Sequence, residues 1–132
     1  MTCFRRRGET VTARIVVVHD DPELTGRIVS ALEGAGHEVS AFAEPIAALE
    51  LLEAALRVDL LVTRVRFAAR KSHGVSLALV AKSKQPGLKV LFLTKREHTG
   101  HVKGVGEHLL TPFDMPDFMA AVERLLRPNE AI

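Results

Sequence analysis

The feature that most constrains this chain is an alternation of short apolar runs with amphipathic stretches. Ile15-Val16-Val17-Val18 is β-branched throughout, so Arg14 to His19 reads as a strand buried on both faces. Asp21 and Pro22 then open a helix, the first placed to cap and the second in the first turn. Leu24, Ile28, Leu32 and Ala35 line one face of it, and Gly34 and Gly36 end it. Glu38 to Phe42 is a shorter, mixed strand suited to an edge. Pro45 opens a second helix with Glu50, Glu53 and Arg57 on its wet face, and Val58 to Thr63 is the next buried strand. A loop follows from Arg64 to His73, then a helix from Gly74 to Lys84 with Leu77, Val80 and Ala81 inward. Pro86-Gly87 makes a turn into a strand from Lys89 to Thr94. Lys95 to Gly106 is polar, contains three glycines and supports only a short helix before a strand at Glu107 to Leu110. From Asp114 to Leu126, Met115, Phe118, Met119, Val122, Leu125 and Leu126 follow the 3.6-residue period, with Asp114 as cap and Pro128 as stop.

Five strands alternating with helices imply an α/β protein, a parallel sheet with helices on both faces joined by right-handed crossovers. In such sheets the ligand crevice lies at the carboxyl ends of the strands, where the strand order reverses. The residues expected to converge there are His19, Asp20 and Asp21, then Thr63 and Arg64, Thr94 and Lys95, and Leu110, Thr111 and Pro112.

Length and composition narrow the function classes. The 132 residues leave room for one domain, expected over 14–128 between a basic flexible tail at 1–13 and a short tail at 129–132, and for no separate output module. The single Cys3 permits no internal disulfide and fits a reducing, cytoplasmic setting. Apolar runs are far below a membrane span. Arg5-Arg6-Arg7 is not followed by the long apolar segment of a secretory signal. Arg5, Arg6, Arg7 and Arg14 against Glu9 put a net +3 in the first fourteen residues, which leaves −1 for the remainder. The basic pI of about 9.0 therefore belongs to the tail. With no Trp, no Tyr and six scattered Phe, a base-stacking platform is poorly supplied, and nucleic acid is not the expected partner.

Several motifs, each weak alone, are specific in order and spacing. They are Val16-Val17-Val18-His19-Asp20-Asp21-Pro22, Gly34-Ala35-Gly36-His37-Glu38-Val39, Val58-Asp59-Leu60-Leu61-Val62-Thr63, Lys89-Val90-Leu91-Phe92-Leu93-Thr94 and Leu109-Leu110-Thr111-Pro112-Phe113-Asp114. Over Arg14 to Arg127 the chain resembles the receiver domain of two-component response regulators. The resemblance implies a flavodoxin-like (βα)5 fold with strand order 2-1-3-4-5. It also implies phosphoryl transfer from a kinase phosphohistidine to an aspartate at the end of strand three, with Mg²⁺ on an acidic pair. A hydroxyl after strand four and a lysine after strand five bind the product phosphate in that family.

By that resemblance Asp20 and Asp21 match the acidic pair and Thr94 the hydroxyl, whereas the nucleophile's position falls on Arg64 and the lysine's on Thr111. Arg64 cannot accept a phosphoryl group and stays protonated. Thr63 points to the other side of the strand, and Asp59 lies at its far end. The expectation is therefore a degenerate, stand-alone pseudo-receiver without catalytic residues or a required cofactor. Arg64 is expected to pair with Asp20 or Asp21 in the Mg²⁺ position, because adjacent carboxylates without a cation repel one another. Mg²⁺ itself is not expected on what remains of the pair.

The family's switch aromatic falls on His108, and Thr111-Pro112 is a candidate cis peptide. Expected partners are a histidine kinase, a phosphotransferase or another signalling protein, with a homodimer also compatible. Two other readings stand beside this one: a phosphoacceptor using a non-standard site, and a small anion-binding regulatory domain using Arg64, Thr94 and Thr111. Other patterns carry less. His98-x-x-His101 has no cysteine nearby, and Gly104-Val105-Gly106 lacks a dinucleotide loop's setting. Ser72, His73 and Ser76 lack a nucleophile elbow. Arg64, Arg66, Arg70 and Lys71 form a basic patch that is either solvated or a seat for an anionic partner.

Overall fold

The computed structural model of the chain describes residues 12–54, 57–65, 74–102 and 104–127. The strands are β1 (Arg14–Val18), β2 (Glu38–Phe42), β3 (Leu60–Arg64), β4 (Lys89–Thr94) and β5 (Glu107–Leu110). The helices are α1 (Pro22–Gly34), α2 (Pro45–Ala54), α3 (Gly74–Lys84) and α4 (Met115–Leu126). The strands form one parallel sheet in the order β2-β1-β3-β4-β5.

Burial follows that order. In the central strands Ile15 to Val18, Leu60 to Thr63 and Val90 to Thr94 are all buried, whereas no residue of the edge strands β2 and β5 is. Alternate residues feed two separate cores. Val16, Val18, Leu61 and Phe92 pack with Ala48 and Leu52 of α2 and Leu77, Ala78 and Ala81 of α3. Ile15, Val17, Leu60, Val62, Leu91 and Leu93 pack with Ile28 and Leu32 of α1 and Phe118 and Val122 of α4. Burying apolar side chains on both faces holds the sheet's C-terminal edge in place from two sides.

Several local expectations shift. Asp21 caps α1, accepting from the N–H groups of Glu23 and Leu24. The helix runs through Gly34, Ala35 takes the C-cap, and Gly36 supplies the positive φ of 96° that turns the chain into β2. β3 begins at Leu60 and includes Arg64, so the strand lies two residues later at its start and one at its end. Arg57 lies beyond the end of α2. In α3 the inward face is Gly74, Leu77, Ala78 and Ala81, and Val80 is 39% exposed. Asp114 sits at the N-cap of α4 but makes no side-chain cap bond, and Ala121 joins the inward face there. The segment before β5 contains a 3-10 helix, Arg96–Val102, in place of a full α-helix. Pro128 and both expected tails up to residue 11 and after 128 lie outside the described residues.

The α3 assignment is directly testable. Val80→Lys should change stability by less than about 0.5 kcal/mol, as exposed positions do. Ala81→Lys forces an ammonium into the core and should cost about 3 kcal/mol or more. Urea denaturation of both variants checks the difference, and equal losses would contradict the assigned face.

Candidate functional site

β1 is flanked by β2 on one side and β3 on the other, so the chain's path across the sheet reverses between β1 and β3. The register pairs Val18 with Thr63 there. His19, Asp20 and Asp21 therefore leave β1 beside the last residue of β3, Arg64. The guanidinium Nη1 of Arg64 donates to Oδ1 of Asp20 at 2.5 Å. The two side chains are 28% and 23% exposed, so the pair is largely shielded but not dry. A charge-assisted bond in such a setting contributes about 1–3 kcal/mol.

The two acidic residues have separate tasks. Asp21 Oδ1 accepts from the backbone of α1 at Glu23 (3.1 Å) and Leu24 (3.5 Å), where the helix dipole favours a negative charge. Asp20 takes the guanidinium. The fit to a divalent cation is poor as a result. One carboxylate of the pair already faces the Arg64 guanidinium, and the other is turned to a helix terminus. Among the described residues, no cluster of three or more His, Cys, Asp and Glu side chains could hold a metal ion.

His19 lies beside both aspartates. It is 7% exposed, and its Nδ1 accepts from the Asp21 N–H at 3.0 Å. An imidazole that accepts there carries its proton on Nε2 and is neutral. Its pKa lies below 6.5, first because burial disfavours the cation and then because Arg64 repels it; Asp20 and Asp21 oppose both effects. The 3.9 Å approach of Nδ1 to Asp20 Oδ1 is therefore not an ion pair at neutral pH. Thr25 completes the turn by donating its hydroxyl to the Asp21 carbonyl at 2.8 Å.

Sequence reasoning included His19 in the buried first strand, which ends one residue earlier at Val18, and missed the bond from the Asp21 N–H to its ring. It also missed Gly74. A Cβ at that position would lie 1.8 Å from the Arg64 carbonyl oxygen and 3.2 Å from Thr63 Oγ1. The Gly74 N–H donates to the Val65 carbonyl at 2.7 Å, so the first residue of α3 is fastened directly over the end of β3. Thr63 is fully buried on that α3 side, the face opposite to Arg64.

The remaining positions lie along the same edge. Thr94 ends β4 and donates its hydroxyl to the Lys95 carbonyl at 3.0 Å. Thr111 donates its N–H to the Thr94 carbonyl at 2.9 Å, and its hydroxyl lies 3.5 Å from the same oxygen. The Thr111-Pro112 peptide is cis. His108 is exposed on β5, in register with Phe92. Asp59 is at the far end of β3, where its carboxylate accepts from the Arg14 N–H and the Arg57 guanidinium. Arg66, Arg70, Lys71, Ser72 and His73 lie outside the described residues, as do the side chains of His98 and His101.

A five-stranded parallel sheet in this order, covered on both faces and with its polar residues gathered beyond β1 and β3, is the CheY-like flavodoxin fold of receiver domains. Comparison with known proteins agrees. No protein-family profile matches the chain. It is 28% identical over 127 residues to the DNA-binding response regulator MtrA of Mycolicibacterium smegmatis, a match covering 92% of this chain and 54% of MtrA. It is 27% identical over 124 residues to the DNA-binding dual master transcriptional regulator RpaA of Synechocystis, covering 90% of this chain and 51% of RpaA. The chain thus spans about half the length of the curated relatives it matches. Among solved structures, a response regulator receiver protein from Sinorhizobium medicae superposes with a TM-score of 0.78 at 25% identity, over 87% of this chain and 94% of that one. The chain therefore has the fold of response-regulator receiver domains and is similar to response regulators over most of its length. Among the described residues no helix is long and apolar enough to cross a membrane.

Two measurements check the site's construction. Gly74→Ala must displace the end of β3, so it should cost about 1–3 kcal/mol in urea denaturation; an unchanged midpoint would contradict the close approach. Folding lowers the His19 pKa, so the unfolded chain takes up protons first on acidification. The stability contributed by neutral His19 is full above pH 6.5 and shrinks as pH falls below it. His19→Asn should accordingly lose less stability than wild type between about pH 7.5 and about pH 5. Equal losses in the two proteins would refute the assignment.

Proposed function

We propose that this receiver domain works without phosphorylation, as a module of two-component signalling that acts by contact with a histidine kinase, a phosphotransferase or another signalling protein. The observation that carries the reading is the Arg64 guanidinium 2.5 Å from Asp20, at the end of the strand where the family places its nucleophile. Arg64 offers no lone pair to a phosphorus atom and is cationic at all physiological pH. It supplies within the chain the positive charge that a receiver otherwise obtains from Mg²⁺. Thr111, where the family has a lysine, provides no ammonium for a phosphate. In this reading the crevice has one charge state, set by the fold, and its surface is presented to partners constitutively. A cytoplasmic location, where such partners reside, belongs to the same proposal.

Incubation with Mg²⁺ and acetyl phosphate, followed by intact-mass measurement, tests it. The expected result is no phosphoryl adduct. An acid-stable, base-labile adduct would overturn the reading. Arg64→Asp places a third carboxylate beside Asp20 and Asp21, and calorimetry should then detect Mg²⁺ binding that is absent from wild type. Tight Mg²⁺ binding to wild type, or none to the variant, would show that the cation position has been assigned wrongly.

A further inference from the structure

At the opposite end of β1 a second histidine holds the chain. His37 lies between the Gly36 turn and β2 and is 5% exposed. Its Nδ1 accepts from the Ala13 N–H at 3.0 Å. The Ala13 carbonyl accepts in turn from the Glu38 N–H at 2.9 Å. The imidazole thereby extends the pairing of β1 with β2 one residue beyond the Arg14–Glu38 register pair. A ring that accepts through Nδ1 carries its proton on Nε2, and that atom is buried with no hydrogen-bond partner among the described residues.

We propose that His37 is a proton-released latch: protonation at Nδ1 removes the acceptor of the Ala13 N–H and releases that amide at the head of β1. An imidazolium in this place would aim one N–H at another N–H and keep a second buried without an acceptor. Neither fault can be corrected while the ring stays inside, so proton uptake and departure of the ring are a single event. The groups facing the ring set where this happens. Glu123 of α4 and Asp59 before β3 favour the cation, and burial outweighs them, which lowers the pKa below 6.5. α1 contributes the Leu32 carbonyl, which accepts the His37 N–H at 3.1 Å. Arg14 of β1 and Glu38 of β2 are paired with each other at 3.1 Å. The latch is therefore shut at neutral pH and opens on acidification. The next amide, Arg14 N–H, is held at 2.9 Å by the Asp59 carboxylate and does not depend on His37.

Amide hydrogen exchange followed by NMR on the full chain, corrected for intrinsic rates, tests the latch between about pH 7.5 and about pH 5. Ala13 protection should fall about tenfold or more, while Arg14 and Leu61 keep theirs. In His37→Asn the amide oxygen takes the place of Nδ1 without titrating, so Ala13 protection should not depend on pH. Constant Ala13 protection in wild type, an equal fall in the variant, or a fall in step with Leu61 would each overturn the proposal. Ring ¹⁵N shifts of wild-type His37 give an independent reading should the variant not fold. The expected species at neutral pH is the Nε2–H tautomer, with loss of Ala13 protection tracking its titration; a ring protonated on Nδ1 would overturn the latch.

Discussion

Adjacent carboxylates at the end of a buried strand require a counter-charge, and the structure beyond β1 is organised by how that requirement is met. Asp20 meets the guanidinium of Arg64, and Asp21 meets the amides at the start of α1. His19, held neutral, takes the Asp21 N–H between them. Because Arg64 stays charged at physiological pH, it supplies a counter-charge to Asp20 from within the chain.

The rest of the fold positions that contact. Two cores clamp the three central strands, which fixes the register of β1 against β3 and hence the distance from Asp20 to Arg64. Gly74 closes over the Arg64 carbonyl at a distance no side chain could share, so α3 starts where it must for β3 to end at Arg64. The Arg64 side chain then has one productive direction, away from α3 and toward the end of β1. The fold thus holds the Arg64–Asp20 ion pair where β1 and β3 end side by side.

Much of this was legible in the residues, for physical reasons that differ by element. A four-residue β-branched run has few alternatives to a buried strand, so β1 was clear. Asp21-Pro22 and the period of Met115 to Leu126 marked two helices in the same way. α3 was readable as a helix but not in its orientation: GVSLALVAKSK is apolar nearly all round, and only packing selects Ala78 over Val80. At the site, topology alone brought Asp20, Asp21 and Arg64 together. Asp21-Pro22 also marked Asp21 as the cap, but topology leaves open which of the two aspartates takes the guanidinium, since that depends on the path of the turn after β1. Nor could it show that the His19 ring accepts the Asp21 N–H or that Gly74 touches Arg64, because both follow from turns whose paths are set by distant strands.

The central claim is that Arg64 and Asp20 interact as a structural unit, and a double-mutant cycle measures this most directly. Stability is determined by urea denaturation for wild type, Asp20→Asn, Arg64→Met and the double variant. The account predicts a coupling energy of about 1–2 kcal/mol, with the double variant less destabilised than the sum of the single ones. A coupling within about 0.3 kcal/mol of zero, the value for independent surface charges, would contradict it.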